Sequence, residues 1–408
     1  MALEGSTRND PDDAREFKSV RDPLRVIVTA SMMATLANWQ LGIVVPLVVL
    51  DQSNSPMIAL LTFALRGAAY AVSPLLGAVI DRFDQRAVFV LAQFQQAACI
   101  VLLAFTKNSW VGGALLLFSG VGAVATTITS QFVLVPKFIK PEGRDTAVAK
   151  LMSALELTRV VGLLLGGALM SWRGPMFSLL AVVALYVVAG VFSLQLPKTV
   201  TPASREGVFA GLGLGFRWLA KPDLLWLVVT MAAVNLSIGQ LEAVLVTVFD
   251  QEGLTAIIAS CLLAVGLATS ALASRLTPAL LPSWTAEKRI LLSQSVVLAA
   301  MCLIAAPPVP LKALGYIVLS FATGFNNVVS ITYRQNLIPI DIAGRVNSVV
   351  RMIITGTVPL SGFLYAGASH FDGVVFWLPA LAILGAAVAA WSVHTFRSAA
   401  QPAASVTE

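Results

Sequence analysis

The feature that most constrains this chain is a series of apolar runs, each about as long as a bilayer is thick. A hydrocarbon core of about 30 Å is crossed by roughly 20 residues of apolar helix. Membrane barrels instead alternate over strands of about ten residues, so runs of this length exclude them. Twelve segments can be drawn: 24–50, 57–80, 87–106, 110–134, 147–170, 174–195, 223–249, 254–276, 289–306, 312–333, 345–367 and 373–397. Composition agrees. Of 408 residues, 57% are hydrophobic and 12% charged, where a soluble domain is about a quarter charged. A soluble enzyme and a disordered chain are both excluded. The expected fold is an all-α membrane protein of twelve transmembrane helices.

The cations orient the spans. Twenty-one of the 27 Lys and Arg fall in the tails and one alternate set of loops; the opposite loops hold Lys107, Arg173 and Lys312, and Arg66, Arg159 and Arg351 lie within spans. This bias places both termini in the cytosol of a multi-pass inner (cytoplasmic) membrane protein. It also accounts for the net charge of +6 without nucleic acid. The polar start of the chain is read as a cytosolic tail, not a cleavable signal peptide. Several external loops are short (Asp51–Pro56, Gln251–Gly253, Ser369–Asp372).

The longest internal loop divides the chain into six plus six. The expected organisation is a tail at 1–23, a six-helix half at 24–196, a central loop at 197–222, a second half at 223–397 and a tail at 398–408. Val208, Phe209, Leu212, Phe216 and Leu219 share one helical face of that loop and suit a short interfacial helix. The halves echo one another. Leu134-Val135-Pro136 then Gly143-Arg144 precede span five; Leu337-Ile338-Pro339 then Gly344-Arg345 precede span eleven. Parallel halves suggest a transporter with its site between them near the midplane.

No phosphate-binding loop, zinc-protease motif or EF-hand occurs, and Cys99, Cys261, Cys302, His370 and His394 form no metal-ligand or catalytic spacing. No enzyme, cofactor or metal is expected. The energy source is then an ion gradient or the substrate's own gradient.

Five ionisable residues fall within spans: Arg66, Glu156, Arg159, Glu242 and Arg351. Such residues are costly in lipid and are functional candidates by default. Glu156 and Arg159 are three apart and share a helix face. Two readings stand, a structural ion pair or a coupling site in which Glu156 is protonated in one access state. Glu242 is placed nearer the outer end of span seven, where it can snorkel. The three arginines outnumber the two carboxylates, which points to an anionic substrate, because guanidinium binds carboxylate bidentately. Gly162, Gly166 and Gly167 form a small-residue seam on span five. Pro46, Pro74 and Pro359 are expected to kink spans one, two and eleven.

The run Gly77-Ala-Val-Ile-Asp81-Arg82-Phe-Asp-Gln-Arg86 resembles the loop two–three signature of the major facilitator superfamily, with Asp84 in place of a glycine. Within it the chain looks similar to the branch of the enterobactin exporter and the macrolide efflux pumps. Leu65-Arg66 before Ser73-Pro74, Gly215-Phe-Arg217 before Lys221-Pro222, and Ile338-Pro339 before Gly344-Arg345-Val346-Asn347 carry this likeness. The arginine of many drug–proton antiporters has no counterpart between Gly120 and Leu134.

The resemblance implies a major facilitator fold and a secondary active transporter exporting a small molecule by alternating access, driven by protons, as a monomer in the lipid bilayer. A siderophore or similar anionic or amphiphilic metabolite is the leading substrate. Multidrug or macrolide-like efflux is the alternative, ahead of a lysophospholipid flippase or a non-transporting receptor. It implies that Gly77, Asp81, Arg82 and Arg86 form a gate, Asp81 facing the amino end of span eleven; a plain topology marker is the other reading. It also places Arg66, Arg351, Asn38, Gln40, Gln131, Asn235, Gln240, Asn326 and Asn327 on spans that line a central cavity. Trp39 and Phe325 lie beside them for stacking.

Overall fold

The computed structural model describes residues 22–72, 76, 80, 83–106, 108–134, 138, 141–198, 213, 216–338 and 343–400. Among these there are helices and turns and no strand. Ten helical runs are long and apolar enough to cross a bilayer. One of them, Ala154–Ser193, supplies two crossings, and the shorter Pro56–Ala68 supplies another. The total is the twelve spans expected.

We number them α1 (Pro23–Ser53), α2 (Pro56–Ala68), α3 (Gln85–Phe105), α4 (Ser109–Ile128), α5 (141–173) and α6 (175–193). The second half follows with α7 (Pro222–Ile238 and Leu241–Gln251), α8 (Ala256–Leu276), α9 (Ala286–Ala305) and α10 (Val309–Leu337). It ends with α11 (Ala343–Gly356 and Val358–Ala368) and α12 (Leu378–Ala400, led by the tight turn Gly373–Trp377).

Local chemistry sets the turns. Ser55, Asp84 and Asn108 each cap the helix that follows by accepting from a backbone N–H of its first turn. Asp84 has φ −59°, so the expected glycine of the loop signature is not needed there. Helices α5 and α6 are two legs of one run, Pro141–Ser193, bent at Gly174 with φ 78° and ψ −173°. Side chains avoid that conformation. Around the bend Arg173 stacks on Trp172, whose ring meets Phe177 edge-on at 6.0 Å, the composition of an interfacial aromatic belt.

An even span count puts both chain ends on one face, called here the terminal face; the opposite one is the far face. Toward the far face a single apolar core joins the two halves. Ile43, Leu47, Leu60 and Leu163 of the first half are buried in it with Val244, Leu245, Leu263 and Tyr365 of the second. Toward the terminal face the described residues form separate cores. Val26, Ile27, Phe89, Leu151 and Leu155 make one, and Leu224, Val228, Val346 and Val350 another.

Close backbone approach holds the far side together. A Cβ on Gly167 of α5 would lie 2.6 Å from the Ala256 carbonyl oxygen of α8, whereas Gly166 faces Gln40 of α1. The expected seam therefore serves two partners, one in each half. In lipid such packing replaces the expulsion of water as the source of helix association. Pro46 sits inside the continuous helix α1. Pro359 opens the second part of α11 after a break at Thr357, the position where proline starts rather than interrupts a helix. Pro74 and most of the central loop, including Val208, Phe209 and Leu212, lie outside the described residues.

Candidate functional site

Two broken spans meet at the centre. Helix α7 stops at Ile238 and restarts at Leu241, and α11 stops at Gly356 and restarts at Val358. Gly239 lies against Val358. Interrupted backbone at membrane depth is tolerated where protein covers it or a cavity solvates it. Here side chains bridge the breaks. Asn235 Nδ2 donates to the Ile354 carbonyl at 2.7 Å, and the Gln240 amide donates to Ser361 Oγ at 3.2 Å. Tyr365 donates to the Ser237 carbonyl at 2.7 Å.

Val358 lines two adjoining cavities. One, of about 100 Å³, is bounded by Asn38, Phe63, Arg66, Tyr70, Gly120 and, from the other half, Gln240. The other, of about 230 Å³, lies within the second half and is lined by Asn235, Glu242, Tyr316, Thr323, Asn326 and Asn327 among others.

Arg66 is the cation of the first cavity and only 9% exposed. Placing an arginine at the centre of a span costs about 3 kcal/mol on insertion scales. Part of that is offset by Asn38 of α1, whose side-chain oxygen accepts from Nη2, and by Tyr186 of α6 at 3.4 Å. Its Nε has no hydrogen-bond partner among the described residues. The guanidinium is thus fixed from two helices and keeps one donor unused.

Glu242 is the carboxylate of the second cavity. The break in α7 puts it in the first turn of Leu241–Gln251, where the helix end favours negative charge. Tyr316 of α10 donates to its Oε1 at 3.4 Å.

Glu156 and Arg159 form the expected pair at 2.7 Å, with side chains 51% and 37% exposed. The Arg159 guanidinium also lies 5.5 Å from the centre of the Trp39 ring.

The other candidates divide. Asn326 accepts from Ser293 at 2.9 Å and faces Met231 Sδ at 3.1 Å, so it braces the cavity wall. Asn327 lines the same cavity and is exposed. Gln40 lines neither cavity: it is fully buried against α5 and donates to the Ser178 carbonyl at 3.1 Å. Arg351 is exposed on the first part of α11. The side chain of Gln131 lies outside the described residues, as do Gly77, Asp81 and Arg82. Arg86 donates to the Leu194 carbonyl at 2.5 Å and ties α3 to the end of α6. Phe325 is buried beneath Arg289, away from both cavities.

Sequence reasoning missed Tyr186 and Tyr316. Tyrosine favours the membrane interface, so a tyrosine deep in an apolar run was a usable signal. A further one is the repeat of Gln-Leu at 40–41 and 240–241, followed by Asp-Gln at 51–52 and 250–251. It marks α1 and α7 as counterparts.

Residues 27–358 match the family model described as Major Facilitator Superfamily. Among solved structures, the nucleoside transporter NupG aligns with TM-score 0.73 at 13% identity, over 93% of this chain and 100% of that one. A bacterial homologue of the iron transporter ferroportin, in an inward-facing state, gives 0.69 at 16% identity, over 93% and 99%. A bacterial homologue of the human lysosomal transporter Spinster, inward-facing and unoccupied, gives 0.69 at 14% identity, over 98% and 100%. These likenesses speak to the fold. A comparison with curated protein sequences finds no match.

Proposed function

The chain belongs to the Major Facilitator Superfamily, and from that premise we propose that it is a proton-coupled exporter of the inner membrane whose substrate is a siderophore or a similar anionic, amphiphilic metabolite. The observation that carries this reading is Arg66, a buried arginine with no hydrogen-bond partner at Nε among the described residues, which lines a cavity that Gln240 of the other half helps to close. A carboxylate or catecholate oxygen is the natural partner for such a donor. Contact with both halves lets bound substrate bias their relative position, as alternating access requires.

The excess of Lys and Arg on the terminal face supports a cytosolic placement of that face. With the halves joined at the far face, the described state then corresponds to an inward-facing one. The ferroportin and Spinster homologues bear that description. Glu156 and Arg159 are the coupling pair in this reading. Asp81, Arg82 and Gly77 remain the proposed gate, and Arg86 positions the start of α3 beside it.

A second reading, efflux of cationic antibiotics, is favoured by Glu242, which offers a cation a carboxylate in the larger cavity. A strain lacking the gene separates the two. Loss of secreted iron chelator with unchanged drug susceptibility supports the siderophore reading. Raised susceptibility with normal chelator secretion supports antibiotic efflux, and no change in either contradicts both.

A further inference from the structure

Arg66 and Glu242 are opposite charges in adjoining cavities, and among the described residues neither takes part in an ion pair. Their hydrogen bonds are made with neutral side chains, Asn38 and Tyr186 for Arg66 and Tyr316 for Glu242. The cavities are neighbours through backbone as well as through a shared wall. Gly67, next to Arg66, packs on Gln240, where an added Cβ would lie 2.9 Å from Nε2. Gln240 is the last residue before the helix whose first turn carries Glu242. Gly239 in turn lies against Val358, which lines both cavities. Gln240 and Val358 thus stand between the cation's cavity and the carboxylate's.

Charges at membrane depth are costly to leave without a counter-charge. A ligand of one sign answers one of them. A carboxylate beside Arg66 leaves Glu242 as it was, and an ammonium beside Glu242 leaves Arg66 as it was. A molecule with both groups, spaced to pass Gln240 and Val358, neutralises both at once through charge-assisted hydrogen bonds. The linings suit the two ends. Phe63 and Tyr70 give the cation's cavity aromatic surface, whereas Ser320, Thr323 and Asn327 give the carboxylate's cavity side-chain oxygens for an ammonium. The cavities measure about 100 and 230 Å³, so the cationic end has the more room.

We infer that the substrate is dipolar: it carries an anionic group that Arg66 binds and a cationic nitrogen that Glu242 binds, on a linker that passes Gln240 and Val358. This deepens the anionic-metabolite reading above and rests on it. Glu242 then selects among anions, admitting those with an amine at the right distance. The arrangement also joins the halves. Arg66 belongs to the first and Glu242 to the second, so a dipolar molecule touches charge in both, whereas a singly charged one is held by charge in one. Its affinity therefore depends on how the halves sit, which is the condition for a ligand to shift that equilibrium.

The test uses probes that share one aliphatic frame and differ in charge. Full-length purified protein is titrated by calorimetry with hexanoate, with hexylamine and with ω-amino carboxylates from 4-aminobutanoate to 8-aminooctanoate. One member of the amino carboxylate series is expected to bind about tenfold or more tighter than either singly charged probe, the increment of one added charged hydrogen bond. R66Q should reduce that member to the affinity of hexylamine, and E242Q to that of hexanoate. E242D keeps the charge on a shorter arm, so it should move the preference to the next longer member, and it serves as the reading if E242Q does not assemble. Amino carboxylates that bind no tighter than hexanoate, an advantage that survives E242Q, or an unmoved preference in E242D overturns the inference. Hexanoate binding that R66Q abolishes would then leave the anionic reading standing, whereas hexanoate binding indifferent to R66Q would contradict that reading as well.

Discussion

The walls of the two cavities that meet at Val358 are built on opposite principles. In the first half Arg66 is buried, held by side chains from α1 and α6, and carried on a helix that crosses α4 at Gly120 with no room to spare. In the second half Glu242 follows a helix break and, among the described residues, accepts one long hydrogen bond, from Tyr316. Each cavity thus carries one sign of charge, differently held. A rigid cation is suited to bind, because its partners are in place before the substrate arrives. A loosely held carboxylate is suited to change state, because little is lost when its partner changes.

Substitutions on each wall sharpen or break this contrast. The largest effect is expected for R66Q. Losing a charged hydrogen-bonding partner costs about 1.5–3 kcal/mol, which is roughly 10–100-fold in transport per molecule in the membrane, measured as chelator secretion at matched protein abundance. R66K is expected to fall between, since a single ammonium cannot bond bidentately. G120A comes next. Its Cβ would lie 2.1 Å from the Arg66 carbonyl oxygen, and overpacking of this kind costs about 1–3 kcal/mol. Thermal unfolding of the purified protein should show a lowered Tm, whereas an unchanged Tm would mean that the wall is not rigid.

N38A should weaken transport more than Y186F, because Asn38 makes the closer contact with Arg66. Equal effects would argue against the geometry. The smallest effect is expected for Y316F on the second wall. One hydrogen bond is worth about 0.5–1.5 kcal/mol, so transport at matched protein abundance should fall by about tenfold or less. A loss as large as that of R66Q would make the second wall as rigid as the first.

The spans were legible because hydropathy reports membrane length directly, and the short far-face turns followed from polar residues such as Asp51–Pro56. The break in α11 was legible at Pro359. The break in α7 was not. Gly239-Gln240 lies within an apolar run whose hydropathy is the same whether the helix is straight or interrupted, so nothing marked Glu242 as lying in the first turn of a new helix. Facing was equally hidden. Gln40 and Asn38 are two residues apart, yet Gln40 bonds Ser178 while Asn38 holds Arg66. Tyr186 is 120 residues from Arg66 in sequence, and no local pattern could pair them.

Proton-coupled export with Arg66 as the binding cation is tested most directly by uptake of the host's own secreted iron chelator into inverted vesicles containing the purified full-length protein. With an acid interior, wild-type protein should accumulate the chelator. R66Q should not, and E156Q should equilibrate it without responding to the pH gradient. Accumulation by R66Q at the wild-type rate, or gradient-driven accumulation by E156Q, would contradict the account.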